Sequence, residues 1–475
     1  MSELATGFKF MTGLLSNGLA KQILKSSSEI CVRCGQRPID MALNDYVGVK
    51  TERCMRCKLL TGMLHILIGI VVRSLHASKS ELSNILGMSF WRRSIVSVVK
   101  GLAYFGPSKP FVTGSPLLVV WNYTNQCNLK CLHCYQNAGS QLGNELSTAE
   151  ALKVVDQLGE TDVSTISFSG GEPLMRRDFF EVAKRAHDYG MYVSVATNGT
   201  LITHEVAEKL AKVVDYVEVS IDGNSAKTHD DFRGIHGSWD RAVKGLKECV
   251  AQGLYTAVSS TATKRNFSEI PRIINFAEEV GAKCFICFNF IPVGRAKETP
   301  SLDLSPQERE QLLVTLYERL VKNTVNQSIN IFTTAPQFAR VGLQHAADAE
   351  QKIVPATHYG NVPGVTKEIA GFIGGCGAGR VYCAISPEGY VMPCVFMPII
   401  VGDLRKQSFK DIWLNSNVLN DLRDRGKLKG RCGECSYKFI CGGCRARAYG
   451  YHADYLMPDP GCIRELEYGN KQSAK

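Results

Sequence analysis

The sequence predicts an α/β fold, a partial (β/α)6 barrel, set between a small cysteine-rich N-terminal region and a loop-rich C-terminal region dense in cysteine. Three observations carry this. Residues 115–335 alternate β-rich and helical runs about six times, the pattern of parallel strands joined by crossover helices. The β-rich runs are nearly continuous in apolar residues, as expected of strands buried on both faces. The 18 cysteines are also grouped, four before residue 110 and eight after 370. A chain of 475 residues exceeds one ordinary domain, and it divides into regions 1–110, 115–335 and 370–465.

In the middle region LLVVWNY (117–123) is the first strand, followed by a cysteine loop. Ser147 with Glu150 three residues on is a capping box opening a helix to about Leu158. STISFSG (164–170) is the second strand, and RRDFFEVAKRAHDYG (176–190) a helix ended by glycine. MYVSVAT (191–197), a helix from Thr203, DYVEVSID (215–222) and a helix across 238–252 follow. YTAVSSTAT (255–263), a helix near 268–280 and CFICFNFIPV (284–293) complete the strand series. Ser305 before Pro306 opens a long helix to about Val321. PATHYGNVPG (355–364) has the Pro and Gly content of a connector. A parallel barrel keeps its chemistry at the C-terminal ends of its strands.

Charge and redox chemistry narrow the class. Residues 1–110 hold 15 Lys and Arg against 6 Asp and Glu, so nearly all of the net charge of +10 sits there. The same region contains LLTGMLHILIGIVV (59–72). Its fourteen residues span roughly 21 Å as a helix, short of a ~30 Å hydrocarbon core. It reads as a buried helix, with a helix lying at an acidic membrane surface as the alternative. The chain is long, has no signal peptide and carries tight C-x2-C pairs. That combination points to metal ligation in a reducing compartment rather than to disulfides. The expectation is a cytoplasmic, oxygen-sensitive protein of an anaerobe, in possible peripheral contact with a membrane. No glycine-rich phosphate loop or cobalamin-binding region is present, so neither ATPase nor cobalamin chemistry is expected.

After the first strand come Cys127, Cys131 and Cys134. A 4Fe–4S cube normally takes four thiolates, and three leave one iron free. A zinc knuckle would need a fourth ligand, and His133, between Cys131 and Cys134, is poorly placed to supply it. Cys127-x3-Cys131-x2-Cys134 resembles the signature of the radical S-adenosylmethionine (SAM) enzymes. In that family the open iron chelates SAM, and the reduced cluster cleaves it to methionine and a 5′-deoxyadenosyl radical that takes hydrogen from substrate. Gly170-Gly171-Glu172-Pro173 resembles the family's GGEP motif, which implies that Glu172 helps to hold the SAM ammonium group. By the same resemblance Asn198, after the third strand, and Ser220 and Asp222, at the end of the fourth, belong to the SAM site, with Asp222 as a helix cap the plainer alternative. His133 stands where many members place an aromatic residue near the adenine.

Cys376-x12-Gly389-x4-Cys394, then Cys432-x2-Cys435-x5-Cys441-x2-Cys444 and a final Cys462, resemble the SPASM extension of radical SAM enzymes, with x2 in place of the usual x3 before Cys444. Eight ligands would complete two further 4Fe–4S clusters. The resemblance implies one set of Cys376, Cys383, Cys394 and Cys444 and another of Cys432, Cys435, Cys441 and Cys462, with Cys383 the least constrained member. Zinc ribbons are the alternative. Full ligation would suit electron transfer, whereas an unligated iron would suit substrate binding. Cys31-x2-Cys34-x19-Cys54-x2-Cys57 has the spacing of a zinc ribbon, so zinc is expected, with a rubredoxin-like single iron as the alternative. Cys249, Cys284 and Cys287 read as core.

The resemblance therefore implies SAM, three 4Fe–4S clusters and one zinc or iron ion as cofactors, with ferredoxin or flavodoxin as reductant. LLVVWNYTNQCNLKCLHCYQNAG, FNFIPVGRA with DLSPQERE, and CGGCRARAYG are similar to the branch acting in haem d1 and alternative haem synthesis. An oxidoreductase that oxidises or decarboxylates a tetrapyrrole side chain, or one that modifies a peptide, is the expectation. Radical modification of a membrane lipid is an alternative that would use the basic, apolar arm. A non-enzymatic iron–sulfur or nucleic-acid scaffold is another, and it leaves GGEP and the triple cysteine without a purpose, so no nucleic acid is expected.

Overall fold

A computed structural model describes residues 13, 17–74, 79–345, 353–356, 360–363 and 367–465. Seven parallel strands run in chain order across one sheet: β1 (Leu118–Thr124), β2 (Thr165–Gly170), β3 (Tyr192–Thr197), β4 (Tyr216–Ser220), β5 (Tyr255–Ala262), β6 (Cys284–Asn289) and β7 (Asn330–Thr333). The predicted connector instead contributes β8 (Ile353–Ala356) and β9 (Gly360–Pro363), a separate antiparallel pair. Beyond β1 the large sheet continues through β10 (Tyr382–Ile385), parallel to β1, then β11 (Tyr390–Met392) and β12 (Gly402–Asp403), both antiparallel. The C-terminal region is thus welded to the barrel through β10. The sheet edges are β7 and β12, so the barrel is open.

The strands are not buried equally on both faces, contrary to the expectation. In β2 and β4, Ile166, Phe168, Val217 and Val219 are buried, while Ser167, Glu218 and Ser220 between them are half-buried. One face packs under the crossover helices in the main core. The other carries small and hydroxylated side chains, which run apolar enough in sequence to hide the alternation.

The predicted caps form. Ser147 and Ser305 each accept from the backbone of a Glu three residues on and receive its carboxylate in return, opening helices Thr148–Glu160 and Pro306–Asn326. The second runs past the expected end at Val321. A helix the sequence reading did not contain, Ala226–Arg233, follows β4. Its sequence, AKTHDDFR, is too polar to display an apolar stripe.

The N-terminal region is helical: α1 (Gly18–Ser28), α2 (Pro38–Tyr46), α3 (Met55–Ser74), α4 (Lys79–Gly87) and α5 (Ser89–Phe105). Helices α2 to α5 share a small core of Ile39, Leu43, Leu64, Leu86 and Val96. Polar contacts tie this region to the barrel. Arg93 of α5 donates to the carbonyls of Val163 (2.7 Å) and Tyr189 (3.1 Å). Lys100 and Arg37 both pair with Asp162. Among the described residues no helix is long and apolar enough to cross a membrane.

Candidate active site and metal centres

The three cysteines lie in the loop after β1, at the strand ends where a parallel barrel keeps its chemistry. Backbone contacts from three directions fix that loop. Cys127 N–H donates to Gly139 O (2.9 Å), Lys130 and Leu132 N–H donate to Arg233 and Phe232 carbonyls, and Gly171 and Glu172 N–H donate to Thr124 and Gln126 carbonyls (both 2.7 Å). A side chain at Gly171 would place its Cβ 2.2 Å from Gln126 O, so the loop requires glycine there. On the far side Gly294, at φ +58°, backs onto Tyr135 so closely that a Cβ would sit 2.2 Å from its carbonyl oxygen. Arg295 then donates to the carbonyls of Cys131 (2.9 Å) and Ala138 (2.6 Å).

The sulfurs themselves are provided with donors. Cys127 Sγ accepts from Leu129 N (3.4 Å), Cys134 Sγ from Ala138 N (3.3 Å) and Cys131 Sγ from Arg233 Nη1 (3.7 Å). Burial pushes the Cys127 thiol up to about 12 and raises Cys131 as well. Thiolates here need a cationic partner, and an iron core supplies one. The donor set fits an iron–sulfur cluster, and hydrogen bonds to sulfur are a recognised means of setting its potential.

Around the loop the expected SAM-site residues gather, with roles the sequence did not resolve. Glu172 is fully buried, and its carboxylate accepts from Leu174 N (3.2 Å), Thr197 Oγ1 (2.8 Å) and Asn198 N (2.8 Å). Burial raises its carboxyl, against the pull of those donors. Three of its acceptor positions are used, and it joins the end of β2 to the end of β3. Asn198 donates to Asn128 Oδ1 (2.8 Å), reaching back to the cysteine loop. His133 stacks on Phe232 at 4.3 Å and 7°, and burial drives it down to about 3, so the ring is neutral. Ser220 ends β4 opposite Ser259.

Asp222 is neither free nor a simple helix cap. It is fully buried, takes Arg233 Nε (2.6 Å) and Nη2 (2.5 Å) on one oxygen, and receives Thr261 N (2.7 Å) on the other. Despite burial, the Arg233 guanidinium holds its carboxyl below the usual range. Asp222 therefore aims Arg233 at Cys131 Sγ. The sequence reading passed over Arg233 because it sits on the unpredicted helix, and passed over Arg295 although FNFIPVGRA was singled out. A buried basic residue gives no local signal; only its position relative to the loop identifies it.

In the C-terminal region Cys394 and Cys444 share a buried cluster into which Cys376 packs. Burial, followed by the charges of Cys444 and Cys376, raises the Cys394 thiol, and burial, Asp459 and Cys376 raise that of Cys444. Cys441, Cys432 and Cys462 interact with one another in the same way. Cys435 follows the short helix Gly430–Glu434 and accepts from Tyr437 N (3.5 Å). Cys383 packs apart from Cys394 and Cys444. It lies on β10 between Tyr382 and Ala384, and alternate strand residues point to opposite faces. Tyr382 packs with Cys394 and Cys444, whereas Cys383 is fully buried in the main core on the other face. Buried arginines surround the remaining sulfurs: Arg445 reaches Cys432 Sγ (3.5 Å) and Arg425 the Cys376 carbonyl (2.9 Å). Such cations offset the negative charge of thiolate-bound clusters. Cys249, Cys284 and Cys287 are buried, as expected of core.

The N-terminal four are different. Cys31, Cys34, Cys54 and Cys57 bring their sulfurs within 4.8 Å of one another, and no other such group occurs among the described residues. The Cys31–Cys54 pair is 3.8 Å apart and Cys34–Cys57 3.5 Å. A tetrahedron with metal–sulfur bonds of ~2.3 Å has edges of about 3.8 Å. The backbone N–H groups of Arg33 and Cys34 hold Cys31 down to about 6. This shell fits one zinc or iron ion.

Comparison with known proteins agrees with the geometry. Residues 121–277 match the radical SAM superfamily and residues 376–436 an iron–sulfur cluster-binding domain, SPASM. The chain is 38% identical over 354 residues to the AdoMet-dependent heme synthase of Methanosarcina barkeri, covering 74% of this chain and 97% of that one. It is 30% identical to the pre-heme d1 synthase of Dinoroseobacter shibae, covering 75% and 89%. It is 32% identical to mycofactocin maturase MftC of Mycobacterium tuberculosis, covering 74% and 83%. The fold is similar to that of Streptococcus suis SuiB bound to S-adenosylmethionine, with TM-score 0.62 at 17% identity over 90% of this chain and 93% of that one.

Proposed function

The chain belongs to the radical SAM superfamily, and from that premise we propose that it oxidatively modifies or decarboxylates a side chain of a tetrapyrrole. It is a radical SAM/SPASM enzyme. The observation that carries the substrate class is its 38% identity along nearly the whole of a haem synthase. When bound, SAM and the cluster at Cys127, Cys131 and Cys134 supply a hydrogen-abstracting radical, and the C-terminal clusters an acceptor for the electron that remains on the substrate. A ferredoxin or flavodoxin is the reductant.

The protein's own part is positioning and exclusion of water. Gly171, Gly294 and Arg295 clamp the cysteine loop from both sides. Glu172 and Asn198 lock the ends of β2 and β3 beneath it, and the remaining acceptor capacity of Glu172 would hold the SAM ammonium group. His133, neutral and stacked on Phe232, would pack near the adenine, and Ser220 would contact the ribose. Glu218, on the inner face of β4, is pushed up to about 7 by burial, so a protonated carboxyl is available to hydrogen-bond a substrate carboxylate.

Peptide modification is the second reading, favoured by the similarity to MftC. One experiment separates the two. Anaerobically reconstituted protein, SAM and dithionite are incubated with an iron-coproporphyrin, with a short peptide library, or alone, and 5′-deoxyadenosine is measured together with substrate mass. Stimulation by the porphyrin with loss of carbon dioxide is the expected result. Stimulation by peptide alone replaces the tetrapyrrole reading with the second.

A further inference from the structure

We infer that the exposed face of α3, with the knuckle around Cys31, is a docking surface for an anionic lipid bilayer. Fifteen large hydrophobic side chains are exposed among the described residues, and eleven of them lie between Leu19 and Trp91. Soluble surfaces scatter such residues singly, whereas a contiguous group marks an interaction site. Here they are ordered. Met55 (72% exposed), Leu59 (64%), Met63 (42%) and Ile66 (67%) follow helical spacing along α3 and form one outward stripe about 16 Å long. The opposite stripe, Cys57, Thr61 and Leu64, is buried against the rest of the N-terminal region. At the head of the stripe Ile30 and Val32, which flank the metal ligand Cys31, are 63% and 94% exposed.

The charge pattern selects the occupant. Over residues 17–66 the exposed cations are Lys25, Arg33, Lys50, Arg56 and Lys58, against the exposed carboxylates Glu29 and Glu52. Aliphatic and thioether side chains flanked by Lys and Arg suit insertion among acyl chains with the cations at anionic headgroups. The stripe contains no tyrosine or tryptophan, the residues that anchor protein interfaces. It is too short to span a bilayer, so the contact is peripheral. The inference stands apart from the choice of substrate.

Flotation of the full-length, metal-replete protein with phosphatidylglycerol–phosphatidylcholine vesicles and with pure phosphatidylcholine vesicles tests it. Binding to the anionic vesicles, weakened by salt and weak or absent with phosphatidylcholine, is expected. Leu59→Ser and Met63→Ser should each reduce the partition on the order of tenfold. Both positions are exposed, and unchanged metal content and thermal unfolding verify that the variants fold. No binding to anionic vesicles, or equal binding by the variants, overturns the inference. So does a result in which the variants lose affinity for an acidic ferredoxin while the parent protein ignores vesicles.

Discussion

The N-terminal and central cysteine sites are built from nearly the same local motif and serve different chemistry. Both use C-x2-C pairs. In the N-terminal site two such pairs face each other and draw four sulfurs into a shell of the size that fits a single ion. In the central site one pair and one further cysteine lie in a loop stretched between Gly171 and Gly294, with donors aimed at each sulfur. The surroundings diverge as well. The first site lies on a basic region that holds eleven of the fifteen exposed large apolar side chains among the described residues; the second is sunk beside the buried Asp222–Arg233 ion pair. Motif spacing chooses the ligand atoms, and the fold chooses what size of metal centre they enclose.

Disabling each site separately should give the largest contrast. Cys134→Ala should lower 5′-deoxyadenosine production roughly a thousandfold or more, because the open-iron cluster is lost. Cys34→Ser should remove the N-terminal ion, measured by metal analysis, while 5′-deoxyadenosine production stays within about threefold of the parent. Equal loss of activity in both variants would join two sites that the structure keeps apart.

A smaller effect sharpens the account of the central site. Arg233→Gln leaves Asp222 buried without its partner and should cost about 3–5 kcal/mol in thermal or denaturant unfolding. The double variant Asp222→Asn, Arg233→Gln should recover part of that stability. In the folded double variant the cluster should be harder to reduce, since a cation beside Cys131 is gone. An unchanged potential would reduce Arg233 to a structural role.

Cys383→Ala should have the smallest effect. It removes one sulfur from the main core, at about 1 kcal/mol for a methyl-sized cavity. Iron and sulfide content should match the parent, whereas Cys376→Ala should lose iron. Loss of cluster iron from Cys383→Ala would restore the sequence-based assignment and refute the placement on the opposite face of β10.

Much of the fold was legible because its signals are local. The capping boxes at Ser147 and Ser305, the βα alternation and the cysteine spacings all lie within a few residues of chain. The helix Ala226–Arg233 was not legible, since a short polar helix has no periodic stripe. Nor was β10, whose partner β1 lies about 260 residues earlier. Cys383 shows the limit most clearly. Its spacing suits a ligand, but which face of a strand it occupies depends on register with β1.

By itself, the sequence determined the reaction class and the parallel α/β core and proposed the metal ligands, because each is written as a residue type at a short, fixed spacing. The tertiary structure alone decided that Asp222 aims Arg233 at Cys131, that Arg295 clamps the cysteine loop, that Cys383 packs in the main core rather than in the cluster of Cys394 and Cys444 and that Met55, Leu59, Met63 and Ile66 of α3 are exposed among the described residues. Those are outcomes of packing between segments far apart in the chain, where burial and strand register, not local spacing, determine what a side chain meets.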